Sequence, residues 1–108
     1  MEIRIKYQGI EASPCMKQYF ERQLNRFERF LSSTSIIFIE LIHGPEDCSC
    51  YLNIQMGHSH FSFENSGADI FEAFTKTFEK ACRCMRSEHQ IQLNRIHRKL
   101  FIAKAINE

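Results

Sequence analysis

The sequence predicts an α+β fold: a two-layer β-α-β-β-β-α sandwich, with a four-stranded mixed sheet and two helices on one face. Three observations carry this. Four short stretches have strand character, at residues 2–7, 35–43, 49–56 and 58–64. Two longer stretches, from Pro14 to Leu31 and from Asp69 onward, repeat apolar residues every three or four positions. The strand–helix–strand opening favours a parallel pair with a right-handed crossover, and the short turns that follow favour antiparallel neighbours.

In the first strand Ile3, Ile5 and Tyr7 alternate with Arg4 and Lys6, a half-buried pattern that breaks at Gln8-Gly9. Ser13-Pro14 opens a helix, with Ser as N-cap and Pro at the first helical position. Met16, Tyr19/Phe20, Leu24, Phe27 and Leu31 give it an apolar stripe over about 17 residues, and Ser32-Ser33 end it. Residues 35–43 are apolar on both faces, with Ile37, Ile39 and Leu41 on one and Ile36, Phe38 and Ile42 on the other. This predicts a central strand. Gly44–Asp47 is a turn. Cys50, Leu52, Ile54 and Met56 share a face of the next strand, a turn centres on Gly57, and Phe61 and Phe63 alternate with polar residues until Asn65-Ser66-Gly67 close the hairpin. The last helix carries Phe71, Phe74, Phe78, Ala81 and Met85 as its stripe, with Lys76, Lys80 and Arg83 opposite. The stripe loses phase at Ser87–Gln90, so the expected division is a domain over residues 1–96 and a carboxy-terminal tail over 97–108.

The length, 108 residues, holds one hydrophobic core. Hydrophobic residues at 44% and charged residues at 25% are the balance of a soluble globular domain. The longest apolar run, Ile36–Ile39, stops at Glu40, far short of the ~20 residues of a membrane span. The amino terminus has no apolar signal segment, so a cytoplasmic location is expected. Net charge is only +1 but is segregated. Residues 14–31 carry +2, residues 69–104 carry +4, and the stretch 32–68 carries −4 with no Lys or Arg. Such segregation makes a local positive field that the total hides, and a phosphate-binding surface needs one.

Five cysteines include two Cys-x-Cys pairs, Cys48/Cys50 and Cys82/Cys84, with Cys15 alone. In a cytoplasmic chain they read as reduced, packing thiols. Cys48 and Cys50 with His58 and His60 suggest half-sites for a metal, but the hairpin separates them. With the turn on Gly57, Cys50 lies opposite residue 64 and roughly 20 Å from His58, against metal–ligand bonds of about 2.3 Å. Cys82 and Cys84 point in different directions on a helix. No metal site and no cofactor are expected. Nucleophile–base motifs, Gly-rich phosphate loops and paired carboxylates are missing, so no enzymatic activity is expected.

Ile10-Glu11-Ala12-Ser13 before the first helix, Met16-Lys17-Gln18-Tyr19-Phe20 with Leu24 and Phe27-Glu28 within it, and Asp69-Ile70-Phe71-Glu72-Ala73-Phe74 at the start of the last helix are similar, in this order, to the ribosome hibernation promoting factors and the related ribosome-associated translation inhibitor. The resemblance covers residues 1 to about 95 and is to short members, without the extra carboxy-terminal domain of long ones. It implies a non-enzymatic domain that binds the small ribosomal subunit near the decoding region and blocks messenger and transfer RNA. By position it implies contacts from Lys17 and Arg26 on the first helix and from Lys80, Arg83 and Arg86 on the second. Ser87, His89 and Ile91 hold positions where the family usually has lysine, and Gln23 holds another basic site, beside Arg22. With their basic neighbours, the RNA-binding set is Lys17, Arg22, Arg26, Lys76, Lys80, Arg83 and Arg86. The resemblance implies that the partner is the ribosomal RNA of the small subunit, and neither DNA nor membrane is expected. An alternative reading is an interaction module: Ile36, Phe38, Ile42 and Tyr51 on the sheet face away from the helices could pair two copies.

Overall fold

The computed structural model describes the backbone of residues 1–107 and the side chains of residues 1–95. The elements are β1 (Glu2–Gln8), α1 (Pro14–Leu24), β2 (Ile36–His43), β3 (Cys48–Met56), β4 (Ser59–Gly67) and α2 (Ile70–Asn107). The sheet order is β1-β2-β3-β4. β1 and β2 are parallel, with Ile3 beside Ile37 and Ile5 beside Ile39. The β2–β3 and β3–β4 pairs are antiparallel. The strand–helix–strand opening therefore closes into the parallel pair that its connection requires, and the predicted α+β architecture is the one observed.

One face of the sheet carries the core. Ile37, Ile39 and Leu41 of β2, Cys48, Cys50, Leu52 and Ile54 of β3, and Phe63 of β4 are buried on it. Both helices cover that face, because Phe20, Leu24 and Phe27 join Ala73, Phe74, Phe78, Ala81 and Met85 in the same cluster. Aromatic rings connect the helices. Phe20 lies 4.8 Å from Phe74, and Phe27 lies 5.1 Å from Phe78 in an edge-to-face contact. Thr77 is the polar group in this layer, and its hydroxyl donates to the Ala73 carbonyl at 2.8 Å. The helix starts are capped as their sequences suggest: Met16 N–H donates to Ser13 Oγ, and Glu72 N–H donates to Asp69 Oδ1.

Four details depart from the sequence expectation. The first helix is α-helical only to Leu24 and continues as a 3-10 helix over Asn25–Arg29. Its three-residue period aligns Leu24, Phe27 and Phe30 toward the core, which a continued α-helix would rotate apart. Asn65-Ser66-Gly67 do not form a closing turn but extend β4, pairing with Cys50, Ser49 and Cys48. The hairpin turn is Gly57-His58, between paired Met56 and Ser59, with Gly57 at φ +62°; Cys50 therefore faces Asn65, not residue 64. The buried stripe of α2 is centred on Ile70, Ala73, Phe74, Thr77 and Ala81, so Phe71 stays largely outside.

α2 runs unbroken to Asn107, so helical backbone crosses the expected boundary at 96/97. Its core contacts end near Met85, and Gln90–Arg95 are exposed. The other sheet face holds Ile36, Phe38, Ile42 and Tyr51, all half-buried. Polar residues interleave with them: Phe38 lies between Arg4 and Asn53, and Glu40 lies between Lys6 and Tyr51.

Candidate nucleic-acid interface

Packing α1 and α2 side by side on one sheet face leaves a groove between their outer surfaces. It encloses about 430 Å³. Tyr19, Gln23 and Arg26 line one wall. They stand at i, i+4 and i+7, which puts them on one flank of the first helix. The facing wall comes from α2, with Thr75, Glu79, Cys82, Arg83 and Arg86, and the floor is Phe74 and Phe78. Three guanidinium groups from two elements thus meet one carboxylate around a single groove.

Aromatic rings hold two of the guanidiniums. Arg26 lies over the Phe78 ring at 5.4 Å from its centroid, and Arg86 lies over the Phe30 ring at 6.0 Å. Such contacts are worth about 0.5–1 kcal/mol at exposed sites, enough to favour one orientation without locking it. Arg26 Nη1 also donates to Gln23 Oε1 at 3.1 Å. Gln23 replaces a charge with a positioning group at a site where the resemblance leads one to expect a base. The Cys82 thiol reports the local field. Burial pushes its pKa up, Arg26 and Arg86 pull it down, and Glu79 pushes it up again. Charges from both helices therefore act on one point in the groove.

The structure does not bring all seven predicted residues together. Arg26, Arg83 and Arg86 line the groove. Arg22 lies on the exposed outer side of α1. Lys17 lies on the opposite flank of α1, in a second hollow with Ile3, Ile5, Tyr7 and Glu21 against the β1 edge. Lys76 lies on the β4 side of α2, where its ammonium is 3.0 Å from Glu72 and donates to the Ser66 carbonyl at 3.3 Å. Lys80 follows Lys76 by four residues and shares that flank. Helix periodicity separates charged from apolar faces, but it does not say which flank of the charged face meets the neighbouring helix. Tyr19 and Gln23 were not in the predicted set, although their spacing from Arg26 is the signal that places them with it.

The cysteine and histidine residues are dispersed by the hairpin. Cys48 and Cys50 are buried under the helices, His58 is in the turn, and His60 pairs with Gln55 beside that turn, at the other end of the ladder from Cys48 and Cys50. Successive strand residues alternate faces, so His60 lies on the face opposite that of Phe61 and Phe63, away from the buried cysteines. Burial pushes the Cys50 thiol up to about 11, against a small lowering from the Thr77 hydroxyl. No helix among the described residues is long and apolar enough to cross a membrane.

Comparison with known proteins places this geometry in a family. Residues 3–100 match the model of the sigma 54 modulation protein / S30EA ribosomal protein family. Among solved structures, a ribosomal subunit interface protein from Coxiella burnetii superposes with a TM-score of 0.69 at 18% identity, over 82% of this chain and 97% of that one. The amino-terminal domain of Thermus thermophilus Protein Y superposes with a TM-score of 0.71 at 15% identity, over 81% and 98% respectively. A search of curated protein sequences returns no match. At these identities the two structures establish the shared fold, and the family match spans nearly the whole chain. The chain belongs to the sigma 54 modulation protein / S30EA ribosomal protein family, a family of non-enzymatic binding factors.

Proposed function

We infer that this protein is a ribosome hibernation factor: it binds the small ribosomal subunit near the decoding region and inhibits translation by occupying the messenger and transfer RNA sites. The observation that carries the reading is the convergence of Arg26, Arg83 and Arg86 on one groove, in a fold shared with a ribosomal subunit interface protein. Guanidinium groups fork two hydrogen bonds onto a phosphate, and folded ribosomal RNA presents phosphates and 2′-hydroxyls more readily than base edges. The mechanism is steric exclusion held in place by electrostatics, in the cytoplasm, in low-activity states such as stationary phase, and it needs no metal or cofactor. The decoding-region position follows from the family resemblance.

The test is sedimentation of the purified protein with isolated small subunits, combined with binding of initiator transfer RNA. Co-sedimentation, with transfer RNA lost in proportion to bound protein, is the expected result. Absence of co-sedimentation at low salt contradicts ribosome binding, and binding that leaves transfer RNA in place contradicts the exclusion mechanism.

A further inference from the structure

The α2 residue that escapes its apolar stripe has a partner on α1. Phe71 is 43% exposed and Tyr19 is 37% exposed, the two most exposed aromatic side chains among the described residues left outside the core. Their ring centroids are 5.6 Å apart in an edge-to-face arrangement. Phe71 also stacks on the buried Phe20 at 5.6 Å and 22°, which takes one of its faces and fixes the ring plane. Tyr19 is held by edge contacts to Phe20 and Phe74. The pair is therefore a rigid aromatic ledge, backed by the core and open to solvent.

Its position gives it a partner. Tyr19 is at once part of the ledge and part of the groove wall that carries Arg26. From Phe71 to Arg86 the helix rises about 22 Å, so the ledge and the guanidiniums mark two ends of one track. An exposed aromatic surface continuous with net positive charge is complementary to a ligand that has flat π-faces along an anionic backbone. Unpaired RNA has this chemistry, whereas a duplex buries its base faces in its own stack.

We propose that the Tyr19–Phe71 ledge stacks an unpaired base of the RNA whose phosphates lie along Arg26, Arg83 and Arg86, so that the groove selects a single-stranded or bulged nucleotide. The inference rests on the ribosomal-RNA reading and adds to it the conformation of the RNA recognised.

Stacking and phosphate contact separate by salt. Phosphate contacts release counterions and set the slope of log affinity against log salt; stacking does not. In ribosome pelleting across salt, Tyr19→Leu/Phe71→Leu should lower affinity by about 5- to 150-fold per stacked base, with the slope unchanged. Tyr19→Phe and Phe71→Tyr keep the rings and should match wild type, which separates stacking from folding. In a second arm, a short single-stranded RNA carrying 2-aminopurine is titrated with each protein. Wild type should quench its fluorescence and the Leu/Leu variant should not, while the same strand in a duplex should respond to neither. A folded Leu/Leu variant that pellets and quenches like wild type overturns the ledge, as does a change of slope without a change of quenching. If wild type fails to pellet, the ribosomal reading fails, and the fluorescence arm still decides the ledge.

Discussion

Phe20 connects the two helices, and its removal should test whether the aromatic cluster holds them together. The side chain is 0% exposed. Its ring meets Phe74 at 4.8 Å, Tyr19 at 5.4 Å, Phe71 at 5.6 Å and Tyr7 at 6.4 Å. Truncating a buried Phe to Ala costs about 3–5 kcal/mol in transfer and cavity terms. Four aromatic neighbours on three elements cannot all collapse into the space, so Phe20→Ala should lie at the upper end, about 4–5 kcal/mol. This is a large share of the 5–15 kcal/mol available to a domain of ordinary stability. With a urea m-value of about 1.5 kcal/mol per M, the unfolding midpoint should fall by about 3 M, measured by circular dichroism. Phe20→Leu keeps most of the volume and should lose about 1–2 kcal/mol. A loss below about 2 kcal/mol for Phe20→Ala at unchanged m would show that the helices are held by something other than this ring.

Three further outcomes follow from particular contacts. Gly67 has no room for a side chain: a Cβ there would lie 2.7 Å from the Ala73 backbone nitrogen and 2.9 Å from Glu72 Cβ. Gly67→Ala should therefore destabilise by about 1–3 kcal/mol in urea titration, and a neutral result would mean that β4 and the start of α2 can separate at no cost. Cys50 is an acid whose pKa is raised from 9.0 to about 11 by burial. Its contribution is full below pH 9 and is lost as pH rises toward 11, by about 3 kcal/mol in all. Cys50→Ala should flatten that alkaline slope, and a slope identical to wild type would place its origin elsewhere. Among the thiols Cys15 is exposed and Cys48 and Cys50 are buried, so mass spectrometry should find Cys15 alkylated first. Early modification of Cys50 would contradict the packing described.

The sheet and its order were legible because alternation and turn chemistry act locally. Ile3, Ile5 and Tyr7 face the helices as their spacing requires, and the parallel β1–β2 pair follows from the crossover that joins them. The places where local reading failed are set by neighbours. Asn65–Gly67 carry turn residues but join β4, because β3 begins at Cys48 and leaves partners for them. Phe71 reads as core by type, yet α2 is rotated so that small Ala73 and Thr77 approach the sheet, which leaves Phe71 at the edge. The basic residues were identifiable by charge and by position in the family. Their grouping was not, since it depends on which flanks of α1 and α2 face each other: Arg26 joins Arg83 and Arg86, while Lys17 and Lys76 point to opposite margins.

The central claim, that the groove between α1 and α2 holds ribosomal RNA phosphates, is tested most directly by ribosome pelleting of wild type and Arg83→Ala/Arg86→Ala across salt. Neutralising about three phosphates with Arg26, Arg83 and Arg86 gives a log–log slope of about −2 to −3 for wild type. Both arginines are exposed on α2, so the variant should remain folded. It should bind more weakly, with a slope flatter by about 1.5. A folded variant that pellets like wild type at every salt concentration would contradict the account and move the binding surface off this groove.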